Sequence, residues 1–461
     1  MFKIKFLLKY ALSISVLLTT SCEDLLEVDD PMGQIADDAV FENPTTANAA
    51  ITSLYAHLRD NAPLVGNSGG LGVLMGLYSD ELDYYSTPGS SLEMFFNHQV
   101  MPSNDIVKST WDNAYSLIYK ANLAIEKIDK SQSLSTDLKK QLTGEALFIR
   151  ALTHFYLLQL FGAIPYIEST DYLINQDVIR TQSEEVYGLL VNDLVRAKQM
   201  LSIEYPDQER TRANRFAATS LLARIYLYKG DWINAELQAS EVIEFSSYYN
   251  LETDLDKEFL KESSSAILQL KPLSDGENTK EGGYFLFEQG PPLNVSLNPL
   301  FMASFEQEDL RRSHWVKEIT DGTTTWFAPF KYKSLENSGT TLEYSVLFRL
   351  AELYLIRAEA RANSGNLQAS ADDLNIIRNR AGLADIQNIT TSELTTALIN
   401  ERKHELFTEH GHRWFDLKRL GIATDILAPI KPNWRSTDVL FPIPESELLA
   451  NPNLAPQNPG Y

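Results

Sequence analysis

The chain has 461 residues, 22% of them charged, with 62 acids against 40 lysines and arginines, a formal net charge of −22 and one cysteine. That balance repels nucleic acid and anionic lipid head groups, so neither is an expected partner, and a lone thiol excludes an internal disulfide. The length would suit about three domains at ~150 residues each, but helical repeat proteins break that rule.

Residues 1–21 carry Lys3, Lys5 and Lys9 and no acid, then a mostly apolar run from Ala11 to Leu18, then Thr19-Thr20-Ser21 before Cys22. The run is too short to span a bilayer stably and is a signal peptide. Cys22 follows a small residue, where lipoprotein signals place the cysteine to be acylated, so the chain is expected to be anchored to a membrane through that lipid. Residues 22–31 form an acidic tether, Glu23-Asp24-Leu25-Leu26-Glu27-Val28-Asp29-Asp30-Pro31 following Cys22, with too little apolar content to pack alone. Removing residues 1–21 moves the net charge from −22 to −25.

From residue 32 onward a single domain is expected. An irregular stretch from Asn61 to Met101 carries Tyr78, Tyr84, Tyr85, Phe95 and Phe96. Trp111, Tyr115, Ile118, Asn122, Ile125 and Ile128 then follow a 3.6-residue spacing, as do Leu147, Ala151, Phe155 and Leu158 before Gly162 and Pro165. The segment from Glu184 to Leu201 has the same period through Val186, Leu189, Leu190 and Leu194. Two further segments, 217–235 and 351–370, share one pattern: a small residue seven positions before a glycine, another five after it. Gly230 and Gly365 suit the left-handed turn that ends a helix, while Ala223, Ala235, Ala358 and Ser370 let two backbones approach. This is the tetratricopeptide helix pair. The predicted fold is mostly α: about four such helix pairs, interrupted at about 246–344 by a long loop-rich insertion that forms the ligand side. There Gly, Pro, Asn and Ser cluster with aromatics and no helical period survives.

Near the C-terminus the sequence reads Asn400-Glu401-Arg402-Lys403-His404-Glu405-Leu406-Phe407, then His412-Arg413-Trp414-Phe415-Asp416-Leu417-Lys418-Arg419, Pro442-Ile443-Pro444 and a terminal Asn458-Pro459-Gly460-Tyr461. With Phe161-Gly162-Ala163-Ile164-Pro165, the Arg349 to Ala360 helix and Asn375 to Leu383, these residues in this order resemble the SusD/RagB family. The resemblance implies a lipid-anchored protein on the outer face of the outer membrane. Such a protein binds nutrient oligomers, usually glycans, and delivers them to a SusC-type TonB-dependent transporter; it is not an enzyme. Position 404 departs from it: the family commonly has Arg there, and His puts one ion pair in doubt.

Read from the residues, Glu401, Arg402, Glu405, Arg413 and Asp416 form a charge cluster where a helix starting near Ser392 meets a short helix ending at Gly421. His410 and His412 lie six and eight positions after His404, whereas two imidazoles on one helix face need a spacing of four, so no metal site is expected there; with no Gly-rich phosphate loop in the chain, no cofactor is expected either. Asp80, Glu81 and Asp83 supply the carboxylates a glycosidase would need, but also what a sugar-hydroxyl site or a solvated loop would use. A sugar site wants flat aromatic faces with polar side chains at the ring edges. The ligand-binding candidates are therefore Asp83, Tyr84, Tyr85, Tyr284, Phe287, Trp315, Trp326 and Phe327. On this reading Trp315→Ala and Trp326→Ala weaken binding and leave thermal unfolding nearly unchanged. The alternatives are a peptide or other oligomer as cargo, a surface glycosidase or peptidase, and a periplasmic tetratricopeptide scaffold. The last predicts a groove of helix faces, with Trp315 and Trp326 packed far from any cleft.

Overall fold

The computed structural model describes residues 37–387 and 390–461; the signal segment, Cys22 and the tether fall outside these. Eleven helices of eight residues or more carry the argument: α1 Pro44–Asp60, α2 Leu71–Tyr78, α3 Asp105–Lys130, α4 Thr136–Phe161, α5 Ser183–Met200, α6 Arg215–Lys229, α7 Trp232–Ile243, α8 Leu350–Asn363, α9 Leu367–Arg380, α10 Thr391–Glu405 and α11 His412–Arg419.

Their ends follow local chemistry. Side-chain oxygens of Asn104, Ser135 and Asn214 accept the free backbone N–H groups that open α3, α4 and α6, and Thr390 with Glu393 makes a reciprocal capping pair at α10. Gly230 at φ 72° and Gly365 at φ 84° end α6 and α8 in the left-handed turn. Asp231 N–H reaches back to Tyr226 O and Asn366 N–H to Arg361 O, at 2.9 Å each, giving both repeats the same C-terminal closure. Ala223, Ala235, Ala358 and Ser370 are wholly buried, and the Ser370 hydroxyl donates to Ala358 O at 2.6 Å where the helices touch.

From α3 to α9 each helix packs on the next, and α10 closes the stack against α8 and α9. Buried ion pairs with several hydrogen bonds tie the layers. Arg150 on α4 grips Asp193 on α5 at 2.7 and 2.6 Å and donates to Asn122 on α3 at 2.8 Å. Arg224 on α6 grips Glu352 on α8 with two bonds of 2.7 Å. Charges so buried hold register because losing one partner strands the other in a low-dielectric interior.

The stretch 246–344 is more ordered than its composition suggests. It contributes β2 Ala266–Leu270, β3 Val295–Leu297, β4 Val316–Thr320 and β5 Thr325–Pro329, with short helices at Lys280–Phe285, Pro299–Ala303 and Leu310–His314. Strand β1 Leu82–Tyr84 precedes these and β6 Ser345–Arg349 follows, giving antiparallel pairs β1–β3, β2–β6 and β4–β5. In the other stretch read as irregular, α2 is helical and almost wholly buried; it is apolar all round because every face is covered, so no amphipathic period marks it.

The C-terminal tail folds back onto α4. Asn458 donates to Phe161 O at 2.8 Å and Phe441 O at 2.7 Å, while Arg180 donates to Pro456 O at 2.7 Å. Among the described residues, no helix is long and apolar enough to cross a membrane.

Candidate ligand-binding site

Backbone pairing brings distant segments together. Strand β1 pairs with β3 so that Asp83 lies opposite Ser296 and Tyr84 opposite Val295. The β4–β5 hairpin sets Glu318 opposite Phe327 and Ile319 opposite Trp326. Ser296 joins the two ladders: its hydroxyl accepts from Phe327 N–H at 3.0 Å and lies 3.2 Å from Phe327 O. Asn294 ties in the third segment, its carbonyl accepting from Tyr85 N–H at 2.8 Å and its side-chain amide donating to Tyr284 O at 3.2 Å.

Tyr85 is 39% exposed, whereas Tyr84, Tyr284, Phe287 and Phe327 are half-buried, and Tyr84, Tyr284 and Phe327 pack against the hydrophobic core. Tyr84 is held upright by stacking on Phe96 at 6.3 Å and by its hydroxyl, which donates to Thr87 O at 2.6 Å. Asp83 accepts from the Asn298 amide at 2.7 Å. Burial, with the Asp83 carboxylate next, pushes the Tyr85 phenol up, and burial pushes Tyr284 up to about 12. Both hydroxyls stay protonated near neutral pH and can donate or accept. A ring face with amide and carboxylate groups at its edges suits the apolar faces and hydroxyl edges of sugar rings.

Trp326 and Trp315 are not the exposed platforms the sequence suggested. Trp326 is 6% exposed and packs closely against the Gly290 backbone, where an added Cβ would meet its ring at 2.1 Å. Trp315 has no exposed surface. Its indole donates to Leu255 O at 2.9 Å, and it lies edge-on to Phe259 at 5.6 Å beneath the Lys331 ammonium. The expectation that Trp315→Ala spares stability is therefore wrong, because the change would empty a filled core position. Asn294 and Asn298 were not singled out as candidates from sequence, although both lie in Pro291-Pro292-Leu293-Asn294-Val295-Ser296-Leu297-Asn298, a few residues after Tyr284, Phe285 and Phe287.

The other charged groups face inward. Arg413 grips Asp80 with two bonds of 2.8 Å; burial alone would raise this carboxyl, but the guanidinium brings it down to about 2. Glu81 beside it is wholly buried, and burial with the Asp80 charge pushes it up to about 8. Arg349 bonds Glu258, Glu405 and Glu409 at once, Glu405 also accepts from Arg311 and Arg380, and Arg402 pairs with Asp416 at 2.7 Å. The charge cluster thus joins β6, α9, α10 and α11 in the core. His404 stacks on Phe305 at 4.4 Å and bonds the Ser304 hydroxyl at 2.9 Å; burial and the nearby Arg311 and Lys403 bring it down to about 2, so it is a neutral ring and makes no ion pair. His410 bonds Val346 O at 2.9 Å and His412 lies 3.9 Å from Glu352, so the three imidazoles serve separate neighbours.

Fold and site together define a tetratricopeptide-like helical scaffold that carries an aromatic face on inserted strands and loops. Residues 46–227 match the family described as "Starch-binding associating with outer membrane", and residues 304–461 match the SusD family. The chain is 28% identical to SusD-like protein P2 of Formosa agariphila over 98% of this chain and all of that one. Among solved structures it is similar to a SusD superfamily protein from Bacteroides vulgatus, with a TM-score of 0.81 at 23% identity over 91% of this chain and 99% of that one. It is also similar to a laminarin binding SusD-like protein, with a TM-score of 0.77 at 22% identity over 91% and 100% of the two chains. The chain belongs to the SusD/RagB family.

Proposed function

We propose that this is a lipid-anchored surface protein, held by Cys22, that captures glycan oligomers on the Tyr85 face and delivers them intact to a SusC-type TonB-dependent transporter. The observation that carries the reading is the pairing that sets Asp83, Tyr84 and Tyr85 beside Asn294 and Asn298, with the Tyr85 ring left partly in solvent. The starch-binding description of the matching family and the laminarin-binding structural neighbour support carbohydrate as cargo. Capture needs no bond making, and the buried placements of Asp80 and Glu81 favour it over glycosidase chemistry, which needs both carboxylates at one cleft.

The test is a binding screen of the chain from residue 23 onward against glycan and peptide libraries, with chromatography of each ligand before and after incubation. Tight binding of a glycan recovered unchanged is expected. Shortened products would overturn the non-catalytic reading, and capture of peptides alone would overturn the glycan reading. Co-purification of the full-length lipoprotein with an outer-membrane barrel tests the delivery step.

A further inference from the structure

A second aromatic groove lies between α3, the 165–178 connection that follows α4, and the C-terminal segment around Glu447 to Leu454. It encloses about 620 Å³ and shares no residue with the Tyr85 face. On its α3 wall Tyr119 is 47% exposed and Tyr115 half-buried. Tyr115 is fixed by the bond from its hydroxyl to Pro165 O at 2.9 Å and by the Trp111 ring at 4.9 Å. The opposite wall is also rigid. Asn175 donates to Ser169 O at 2.7 Å and Asn451 to Val178 O at 2.8 Å, so both amides stand in fixed orientation at the rim.

We infer that this groove is a second glycan subsite, taking a neutral segment of the same polymer that the Tyr85 face holds. The inference rests on the glycan reading given above. Three observations select this occupant. Rings of Tyr115 and Tyr119 line one wall, while Ser116, Gln176 and Glu447 bring polar groups to their edges, the combination that reads the two faces of a sugar ring. Neither the Tyr119 hydroxyl nor the Gln176 side-chain oxygen is engaged in a hydrogen bond among the described residues, so both have capacity for a ligand's hydroxyls. No lysine or arginine lines the groove, and its two acids face Lys108, which pairs with Asp112 and lies near Glu447, so the lining carries little net charge that would select a charged ligand over a neutral one. Two subsites on one rigid scaffold raise affinity for a long chain by effective concentration without tightening either site for a short one.

The experiment compares wild type, Tyr119→Ala, Gln176→Ala and Tyr85→Ala by isothermal titration. The probes are neutral gluco-, xylo-, manno- and galacto-hexaoses and the matching polysaccharides. Wild type should bind two hexaoses per chain. Tyr119→Ala should bind one, lose on the order of 10² in polymer affinity, and keep its thermal unfolding profile. Gln176→Ala should weaken the same isotherm, which keeps the test valid if the tyrosine variant folds poorly. Tyr85→Ala should also bind one hexaose, at the groove. A stoichiometry of one that Tyr85→Ala abolishes and Tyr119→Ala leaves unchanged overturns the second subsite but not the first. A stoichiometry of one that only Tyr119→Ala abolishes supports the groove and overturns the Tyr85 face. If both groove variants leave every glycan isotherm unchanged but alter self-association or protein binding, the groove is a protein contact and the inference fails.

Discussion

Replacing Tyr85 by alanine removes the most exposed ring of the candidate face and little else. The residue is 39% exposed, and an aromatic side chain of this kind covers roughly 200 Å² when fully buried. A ligand that covers the exposed part therefore removes about 80 Å² from water, which at about 25 cal/mol per Å² is worth about 2 kcal/mol. At about 1.4 kcal/mol per decade the dissociation constant should rise about 30-fold. Tyr85→Phe keeps the ring and loses only the hydroxyl, so it should cost about 1 kcal/mol, near fivefold. The assay is titration with the tightest glycan from the screen, accompanied by thermal unfolding to verify that both variants are folded. An unchanged dissociation constant for a well-folded Tyr85→Ala would refute the assignment of the ligand to this face.

Trp315→Ala should destabilise the fold by about 3–5 kcal/mol, read by chemical denaturation, because the indole leaves a cavity that Phe259 and Lys331 cannot fill. Glu405→Ala should cost a similar ~3–5 kcal/mol, because Arg311, Arg349 and Arg380 each lose one buried carboxylate and keep only Asp309, Glu401, Glu258 and Glu409 among them; a near-neutral result would refute a stabilising role for Glu405. Asp80 titrates at about 2 when folded against an ordinary 3.8. The stability this contributes, about 2 kcal/mol, is present above pH 3.8 and fades as pH falls toward 2, and Asp80→Asn should remove that acid dependence. Glu81 has the opposite sign: with a folded value of about 8 against 4.5, stability falls as pH rises from 4.5 to 8. Glu81→Gln should flatten that slope and gain about 3 kcal/mol at pH 7. A slope unchanged by the substitution would show that the carboxyl is not the group responsible.

Much of the scaffold was legible in the chain. The 3.6-residue stripe through Trp111, Ile118 and Ile128 and the glycines at 230 and 365 specify helices and their ends through contacts a few residues apart, which any sequence displays. The ordered set of C-terminal motifs gave the family for a related reason: residues such as Arg349, Glu405 and Asn458 each meet several buried partners, so their identities are tightly constrained. The sequence marked the loop-rich insertion and the 61–101 stretch as the segments that hold the candidate aromatics, but not how the two combine. Strand β1 pairs with β3 from beyond two hundred residues away, and a pairing of that separation leaves no local period.

Composition alone could not sort the aromatics of the insertion. Trp315 and Tyr85 are both rings in segments without helical periodicity, yet Leu255, Phe259 and Phe407 enclose the first, while the second stands at the end of β1 with its ring partly in solvent. Which ring faces water depends on what the distant chain brings over it. The sequence determined helices, turns, the likeness to SusD/RagB and the pool of candidate rings. Only the tertiary structure decided that Tyr85 is presented outward and that Trp326 and Trp315 are buried, because burial is a property of packed neighbours and not of any residue taken alone.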